Sequence, residues 1–224
     1  MTLKLYIGNK VYSSWSLRGW LAVKQSGLPF EEKVVPLYDG DWDRRREAPE
    51  LAASNGKVPV LWDGDAAVWE SLAIIDYLAD KVGRDRFCPA DDKARALARS
   101  MASEMHAGYT ALRSQHTMNM RHVYPPEPLA PAVAADVQRI TSLWDQAREQ
   151  FGQGGDYLFG GFGAVDIMFA PVVTRFRTYS IPLPSRASDY CAAVWDHPFM
   201  VEWSEGAAGE HWVIDKFERA AEKA

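Results

Sequence analysis

The stretch from position 56 to position 71 constrains the fold of this chain more than any other, because it predicts a hairpin followed directly by a helix. Asp63 and Gly64 lie between two apolar runs, and glycine accepts the positive φ that a short hairpin turn requires. Pro59 has no N–H group, so it belongs at the entrance of a strand. Glu70 and Ser71 precede apolar residues at helical spacing, which places them at the amino terminus of the predicted helix.

The groups at this helix start suit the two ends of a small zwitterionic peptide. Free backbone N–H groups and the Ser71 hydroxyl can hold a carboxylate. The Glu70 carboxylate can hold an ammonium group through a charge-assisted hydrogen bond. The alternative interpretation is a hairpin with a polar helix start and no ligand.

Composition and charge exclude several classes of protein. The chain has 224 residues and a formal net charge of −5, which argues against nucleic acid as a partner. Cys88 and Cys191 lie far apart, which is typical of a reducing compartment without structural disulfides. No apolar run is long enough to span a membrane, and no histidine or cysteine cluster has metal-ligand spacing. We therefore expect a soluble cytoplasmic protein without a metal site.

The first 83 residues predict a small α/β layer. Alternation in Leu3–Ile7 predicts a strand, and the helix that follows the serine cluster at positions 13–16 is expected to stop at Gly27. A second strand precedes Pro36. The hairpin and its helix, which is expected to stop at Gly83, complete the order β-α-β-(α)-β-β-α. This order is thioredoxin-like.

The remainder of the chain predicts an all-helical domain. Residues 84–91 are charged and contain Pro89, and we interpret them as the linker between residues 1–83 and residues 92–224. Apolar periodicity then predicts five or six helices. The first is expected to begin at 92 and run to about 120, the second to begin at Pro131, and the third to span 164–179. Short helices are expected at about 187–195, 199–205 and 212–220.

These features together resemble the cytosolic glutathione transferases. The Val-Pro pair, the hairpin and the Glu-Ser pair resemble the glutathione-binding half of that family. The cluster Ser13-Ser14-Trp15-Ser16 resembles its serine-type, zeta- and theta-like bacterial members. The resemblance covers essentially the whole chain. It implies an N-terminal thioredoxin-like domain and a C-terminal helical bundle, with glutathione as co-substrate, a small hydrophobic electrophile as second substrate, and a homodimer.

The resemblance also implies that Ser13 activates the glutathione thiol. Lowering the pKa of a thiol by about two units from about 8.5 takes about 2.7 kcal/mol, which one charge-assisted hydrogen bond at a helix start can supply. The hydroxyl only has to donate to sulfur. The residues implied to bind glutathione are Ser14, Lys57, Val58, Pro59, Glu70 and Ser71, with a cis bond between Val58 and Pro59.

Other residues compete for these roles or extend the site. Ser14 is the second choice as the activator, and Tyr12 and Tyr6 are rivals because other classes use a tyrosine near the end of the first strand. Ser16 is expected inside the helix, as a packing residue. The residues expected to wall the electrophile pocket lie on the first long helix of the second domain: His106, Tyr109, Arg113, His116 and Met118.

Two other functions stay open at this point. One is a glutathione-dependent cis-trans isomerase of maleyl-type acids, and the other is a non-catalytic binding or scaffold protein on the same fold. A disulfide oxidoreductase is disfavoured because the serine cluster contains no cysteine.

The start of the helix at 164–179 departs from the family pattern. The family carries Ser or Thr at its N-cap, whereas this chain has Gly163 there and keeps Asp166. Glycine at an N-cap costs only about a few tenths of a kcal/mol relative to serine, so we expect a minor effect on stability.

Overall fold

Four short strands form a single mixed sheet in the first third of the chain. The computed structural model describes residues 2–219. The strands are β1 (Leu3–Ile7), β2 (Phe30–Val34), β3 (Val60–Asp63) and β4 (Ala66–Trp69). Their order in the sheet is β2-β1-β3-β4, with β1 parallel to β2 and the other two pairings antiparallel. The predicted succession of elements along the chain, β-α-β-(α)-β-β-α, is confirmed.

Helices flank this sheet and make up most of the remaining described chain. They are α1 (Ser14–Ser26), α2 (Trp42–Arg46), α3 (Pro49–Ala52), α4 (Ser71–Val82), α5 (Asp92–Ala107), α6 (Thr110–Gln115), α7 (Pro131–Phe151), α8 (Ala164–Thr178), α9 (Ser185–Trp195) and α10 (Pro198–Ala208). A 3-10 turn, Arg84–Arg86, lies within the predicted linker, whose boundaries stay a prediction. Within residues 2–219, no helix is both long and apolar enough to cross a membrane.

Local sequence explains where α1 and α4 begin and end. Ser13 is the N-cap of α1, and its hydroxyl accepts a hydrogen bond from the Ser16 N–H group at 3.3 Å. Gly27 ends α1 with a φ of 71°, and its N–H group donates to the Lys24 carbonyl at 3.1 Å. Gly83 ends α4 with a φ of 104°. Both predicted glycine stops are confirmed.

The predicted hairpin between the third and fourth strands is also present. Asp63 is the last residue of β3, and Gly64 opens the two-residue turn with a φ of 60°. Pro59 directly precedes β3, as expected for a residue without an N–H group. The bond between Val58 and Pro59 is cis.

The α1 helix joins the sheet to the helical region. It packs against α4 and β1 of the sheet layer and against α8 of the helical region. The α8 helix is buried along nearly its whole length. Leu5, Leu17 and Leu61 of the sheet layer are fully buried in the same core as Phe169 of α8. The amino terminus of α1 is therefore fixed where the sheet layer meets the helical region.

The long helix predicted from Asp92 is wrong in its length. Its first part, α5, is followed by Gly108 and by Tyr109, which has a φ of 55° in the left-handed region. The chain then continues as α6 in a new direction. Asp136 of α7 supports this start, because its carboxylate accepts a hydrogen bond from the Leu112 N–H group at 2.9 Å. The break brings α6 against the start of α1.

The prediction of a helix at 212–220 is also wrong for residues 212–219, which the structure describes. The last residue of the predicted helix lies outside the described residues. The segment contains only the 3-10 turn Asp215–Phe217. Just before it, the Glu210 carboxylate accepts hydrogen bonds from the N–H groups of Lys10 at 2.7 Å and Val11 at 3.1 Å. These bonds hold the segment beside the loop that leads into α1.

Gly163 replaces the expected Ser or Thr cap for a spatial reason. A Cβ atom at Gly163 would lie 2.7 Å from the carbonyl oxygen of Phe87. That oxygen accepts a hydrogen bond from the Ala164 N–H group at 2.8 Å. Asp166 still closes the cap, because its carboxylate accepts a hydrogen bond from the Gly163 N–H group at 2.9 Å.

Candidate active site

Two adjoining clefts open at the start of α1. The larger has a volume of about 570 Å³ and the smaller about 280 Å³. Trp15, Lys57 and Val58 line both clefts, so the two form one continuous groove. We call the smaller cleft the anchor end; it is also lined by Pro59, Glu70 and Ser71. We call the larger cleft the reaction end; it is also lined by Ser13, Ser14 and Arg113.

The start of α4 lines the anchor end. Ser71 is the first residue of α4 and is buried, and its hydroxyl lies 3.7 Å from the Met168 sulfur. Glu70, directly before it, has a φ of 68°, which is uncommon for a residue with a side chain. The Glu70 side chain is exposed. The first N–H groups of a helix lack helical acceptors, so the anchor end combines donors for a carboxylate with an acceptor for an ammonium group.

A serine fixes the loop that precedes β3. The Ser54 hydroxyl accepts a hydrogen bond from the Lys57 N–H group at 3.0 Å and donates to the Lys57 carbonyl at 2.6 Å. Val58 follows and is half-buried, whereas the Lys57 side chain is exposed. The loop thus places Lys57 and Val58 at the boundary between the anchor end and the reaction end.

Ser13 lies where the reaction end meets the amino terminus of α1. Its hydroxyl donates to the Ser16 hydroxyl oxygen at 2.8 Å. That oxygen also accepts a hydrogen bond from the Gly8 N–H group at 2.8 Å, so it keeps a partner when the Ser13 hydroxyl turns away. Ser16 is fully buried inside the helix, as expected for a packing residue, but it also holds Ser13 in place.

The rival hydroxyl groups lie in different surroundings. Ser14 is the first residue of α1 and lines the reaction end. The Tyr12 hydroxyl donates to Glu218 and accepts a hydrogen bond from Arg121 at 3.0 Å. Burial, followed by the hydrogen bond to the Glu218 carboxylate, raises the pKa of Tyr12 to about 12. Tyr12 is therefore protonated and already bonded, while Tyr6 lies within β1.

The helical region supplies one wall of the reaction end. Arg113 and Met118, both expected to wall the electrophile pocket, line it. Tyr109 and His116 have other partners. The Tyr109 hydroxyl donates to Glu104 at 2.8 Å, and the His116 ring packs against a tyrosine ring at a centroid distance of 4.6 Å. The five residues do not share one helix, because the chain breaks before α6.

His106 connects α5 with both ends of the groove. Its ring packs edgewise on Trp15 at a centroid distance of 5.1 Å, and its Nε2 atom lies 3.5 Å from the Glu70 carboxylate. Burial lowers the pKa of His106; the Glu70 carboxylate opposes this effect, and the charges of Arg18 and Arg113 add to it. The ring is therefore neutral at neutral pH, which leaves the charge of Glu70 for a ligand.

The reaction end also contains residues that sequence reasoning missed. Arg175 lies on the buried helix α8, where a charged residue within an apolar run was the one available signal. Tyr38, Trp42 and Phe217 come from the loop after β2, from α2 and from the C-terminal turn, and no local pattern marks them. Among the residues that the structure describes, no group of three or more His, Cys, Asp or Glu is placed to hold a metal.

Comparison with known proteins gives matches along most of the chain. The model of the glutathione S-transferase N-terminal domain matches residues 12–81, and that of the C-terminal domain matches residues 130–205. Glutathione S-transferase 1 of Dianthus caryophyllus is 33% identical over 119 residues, which cover 52% of this chain and 51% of that protein. Glutathione S-transferase theta-1 of Gallus gallus is 27% identical over 207 residues, which cover 82% and 75% of the two chains.

A solved structure has the same fold. It is a glutathione transferase homologue from Burkholderia gl BGR1 with bound glutathione, with a TM-score of 0.70 and 21% identity over 94% of this chain and 100% of that chain. The matched part of this chain spans about half the length, or less, of the first curated relatives. The two family models fall on the sheet layer and on the helical region. The chain belongs to the glutathione transferase family.

Proposed function

We propose that this protein is a glutathione transferase that joins the sulfur of glutathione to small electrophiles. The observation that carries the proposal is the continuous groove, which has an exposed carboxylate at its anchor end and a helix-capping serine at its reaction end. Glutathione is a zwitterionic tripeptide with a thiol near its centre. Its γ-glutamyl end therefore matches the anchor end of the groove, and its sulfur matches the reaction end.

The proposed binding mode uses the anchor end for the γ-glutamyl group. The Glu70 carboxylate accepts hydrogen bonds from the ammonium group, and the Ser71 hydroxyl with the first N–H groups of α4 holds the adjacent carboxylate. The backbone of Val58, which lines both clefts, pairs with the middle of the peptide. Lys57 pairs with the glycyl carboxylate.

The proposed chemistry takes place at the start of α1. The thiol releases its proton to solvent, and the Ser13 hydroxyl turns from Ser16 to donate to the thiolate. The amino terminus of α1 adds a favourable electrostatic term, and Ser14 contributes its backbone N–H group, which in the structure donates to the Tyr12 carbonyl at 3.1 Å. The thiolate then forms a C–S bond with the electrophile. In a displacement, the bond to the leaving group breaks as the C–S bond forms, and the leaving group departs with the electron pair.

The names of the relatives support this assignment. The carnation and chicken proteins are named glutathione S-transferases, and the Burkholderia homologue was solved with glutathione bound.

We also propose that the protein is a homodimer and that it is cytoplasmic. The free thiols of Cys88 and Cys191 are in keeping with the cytoplasmic location. Sedimentation of the purified protein at micromolar concentration tests the dimer, and a monomer would contradict it. Fractionation of the source cells tests the location.

Two measurements test the function. Retention on glutathione-agarose with elution by free glutathione tests the peptide site, and formation of the conjugate from chlorodinitrobenzene tests the enzyme. We expect both to be positive. Retention without conjugation of any electrophile would indicate a binding protein on the same fold, and the absence of both would contradict the proposal.

A further inference from the structure

The larger cleft has walls of a single charge sign. The charged residues that line it are Lys57, Arg113 and Arg175, and no aspartate or glutamate of the described chain lines it. Lys57 lies at the boundary with the anchor end, where the proposed binding mode assigns it to glutathione. Arg113 and Arg175 lie on the helical side and have no assigned partner. Their charge is therefore left for the second substrate.

Arg175 is held rigidly although it is almost fully buried. Its Nε atom donates to the His116 carbonyl at 2.8 Å, and its Nη1 atom donates to the Pro171 carbonyl at 3.1 Å. Its Nη2 atom has no hydrogen-bond acceptor among residues 2–219. That atom is not fully enclosed by the protein. Arg175 thus carries a fixed guanidinium with one reachable donor.

Arg113 is fixed in the same manner at the break between α5 and α6. Its Nη1 atom donates to the carbonyls of His106 at 3.3 Å and Gly108 at 3.1 Å. Its guanidinium also lies 4.9 Å from the centre of the Trp15 ring. The Nε and Nη2 atoms have no acceptor within the described chain.

A third arginine adds positive charge behind the cleft. Arg18 is fully buried, its guanidinium carbon lies 4.5 Å from the centre of the Trp15 ring, and its Nη2 atom has no partner in the described chain. Burial, together with the charges of Arg175 and Arg113, lowers the pKa of Arg18. No described carboxylate forms an ion pair with Arg18, Arg113 or Arg175.

Buried cations without counterions are costly, and planar guanidinium groups with free edges match the geometry of a carboxylate. We propose that Arg113 and Arg175 form an anion-binding subsite, so that the preferred electrophile carries a carboxylate or a similar oxyanion. This inference rests on the proposed transferase function and names its second substrate class. In a displacement, the thiolate attacks the carbon that bears the leaving group while the carboxylate stays bound and unchanged.

The test compares two electrophiles that differ in one charge. Chlorodinitrobenzoate and its methyl ester both exchange chloride for the glutathione sulfur, and each rate is divided by its uncatalysed rate. For the natural protein we expect the normalised kcat/KM of the carboxylate to exceed that of the ester by about 10-fold, and added salt to reduce this preference.

Variants then assign the preference to the arginines. We expect Arg113→Gln to lower the carboxylate preference by about 10-fold while the ester rate and the KM for glutathione change by less than about threefold. Arg113→Lys keeps the charge and should restore part of the preference. Arg175→Gln gives a second variant where folding allows it. Arg177→Gln, at an exposed arginine of the same helix, is the matched control and should leave the preference unchanged.

Several results would overturn the inference. An equal loss with both electrophiles would assign Arg113 to the thiolate, and a rise in the KM for glutathione alone would assign it to the tripeptide. If neither electrophile reacts and glutathione-agarose retains nothing, the proposed function fails. In that case, calorimetric titration with dinitrobenzoate and its methyl ester still tests the subsite. Only dinitrobenzoate should bind, and Arg113→Gln should weaken its binding by about 10-fold.

Discussion

The anchor end and the reaction end of the groove are built in different ways. The anchor end comes from one short stretch of chain, in which the hairpin and the start of α4 place Pro59, Glu70 and Ser71 together. The reaction end gathers side chains from the start of α1, from α6 and α8, and from the C-terminal turn. A contiguous motif therefore builds the proposed peptide-binding end, whereas the assembled helical region builds much of the proposed reaction site.

This difference separates binding from reaction. In the proposed binding mode, the anchor end contacts parts of glutathione that do not change during the reaction, so a substitution there should act on binding alone. The reaction end is proposed to contact the sulfur and the electrophile, so a substitution there should act on the rate.

The largest expected effect is at the reaction end. Replacing the proposed activator, Ser13→Ala, removes the hydrogen bond to the thiolate, and we expect kcat at neutral pH to fall by about 100-fold with little change in the KM for glutathione. The rate should recover in part at alkaline pH, where the thiol ionises without help. Steady-state rates with chlorodinitrobenzene across a range of pH measure the loss of kcat. The ultraviolet absorbance of the bound thiolate measures the ionisation of the thiol.

The control for this variant is Ser14→Ala, whose proposed contribution is a backbone N–H group that survives the substitution. It should keep most of the rate. Loss of activity in Ser14→Ala with full activity in Ser13→Ala would move the activating role by one residue.

A smaller effect is expected at the anchor end. Glu70→Gln removes the charge that faces the ammonium group, and we expect the KM for glutathione to rise about 10-fold with kcat within about twofold. Glu149→Gln, at an exposed glutamate of α7, is the matched control and should change neither value. A fall in kcat as large as the rise in KM would break the proposed separation between the two ends.

The next variant tests the rival tyrosine. Tyr12→Phe removes the hydrogen bond to Glu218, which keeps Asn119 at 3.1 Å and His122 at 3.1 Å as partners. We expect a loss of about 1 kcal/mol in the free energy of unfolding and a change in kcat of about threefold or less. Denaturant unfolding and the chlorodinitrobenzene assay measure the two quantities. If Tyr12→Phe abolishes the conjugation, the tyrosine rather than a serine activates the thiol.

The smallest expected effect concerns acidity. The pKa of His106 lies below its ordinary value of 6.5 because the ring is buried, so the ring gains its proton only as the pH falls below that value. The protonated ring pairs with Glu70 and competes with the ammonium group of glutathione. The KM for glutathione should therefore rise on acidification, and His106→Asn should reduce that rise by about twofold. Titrations of glutathione binding from neutral to mildly acidic pH measure this effect. Identical curves for the natural protein and His106→Asn would contradict the prediction.

Much of the anchor end was predictable because its signals are local. Asp63 and Gly64 mark the hairpin, and Pro59 marks the strand entrance. The apolar spacing after Glu70 marks the start of α4. Each signal depends on backbone rules that act within a few residues. The start of α1 was predictable for the same reason, since a serine cap and a glycine stop bound the helix.

The reaction end was less predictable because its residues meet only through tertiary contacts. The break after α5 depends on Tyr109, which bonds to Glu104, and on Asp136, which supports α6 from another helix. No pattern near Arg113 or Arg175 reveals that the two line the same cleft. The reason for Gly163 was hidden likewise, because the Phe87 carbonyl that takes the space at that cap is far away in the sequence.

The loop before Ser13 depends on a residue that the ribosome adds much later. The N–H groups of Lys10 and Val11 find their acceptor in Glu210, 200 positions further along the chain for Lys10. A nascent polypeptide can close its sheet layer as soon as α4 has emerged, but this loop still lacks the carboxylate that fixes it. The loop that leads to Ser13, the proposed activator, is therefore completed only after Glu210 has been synthesised.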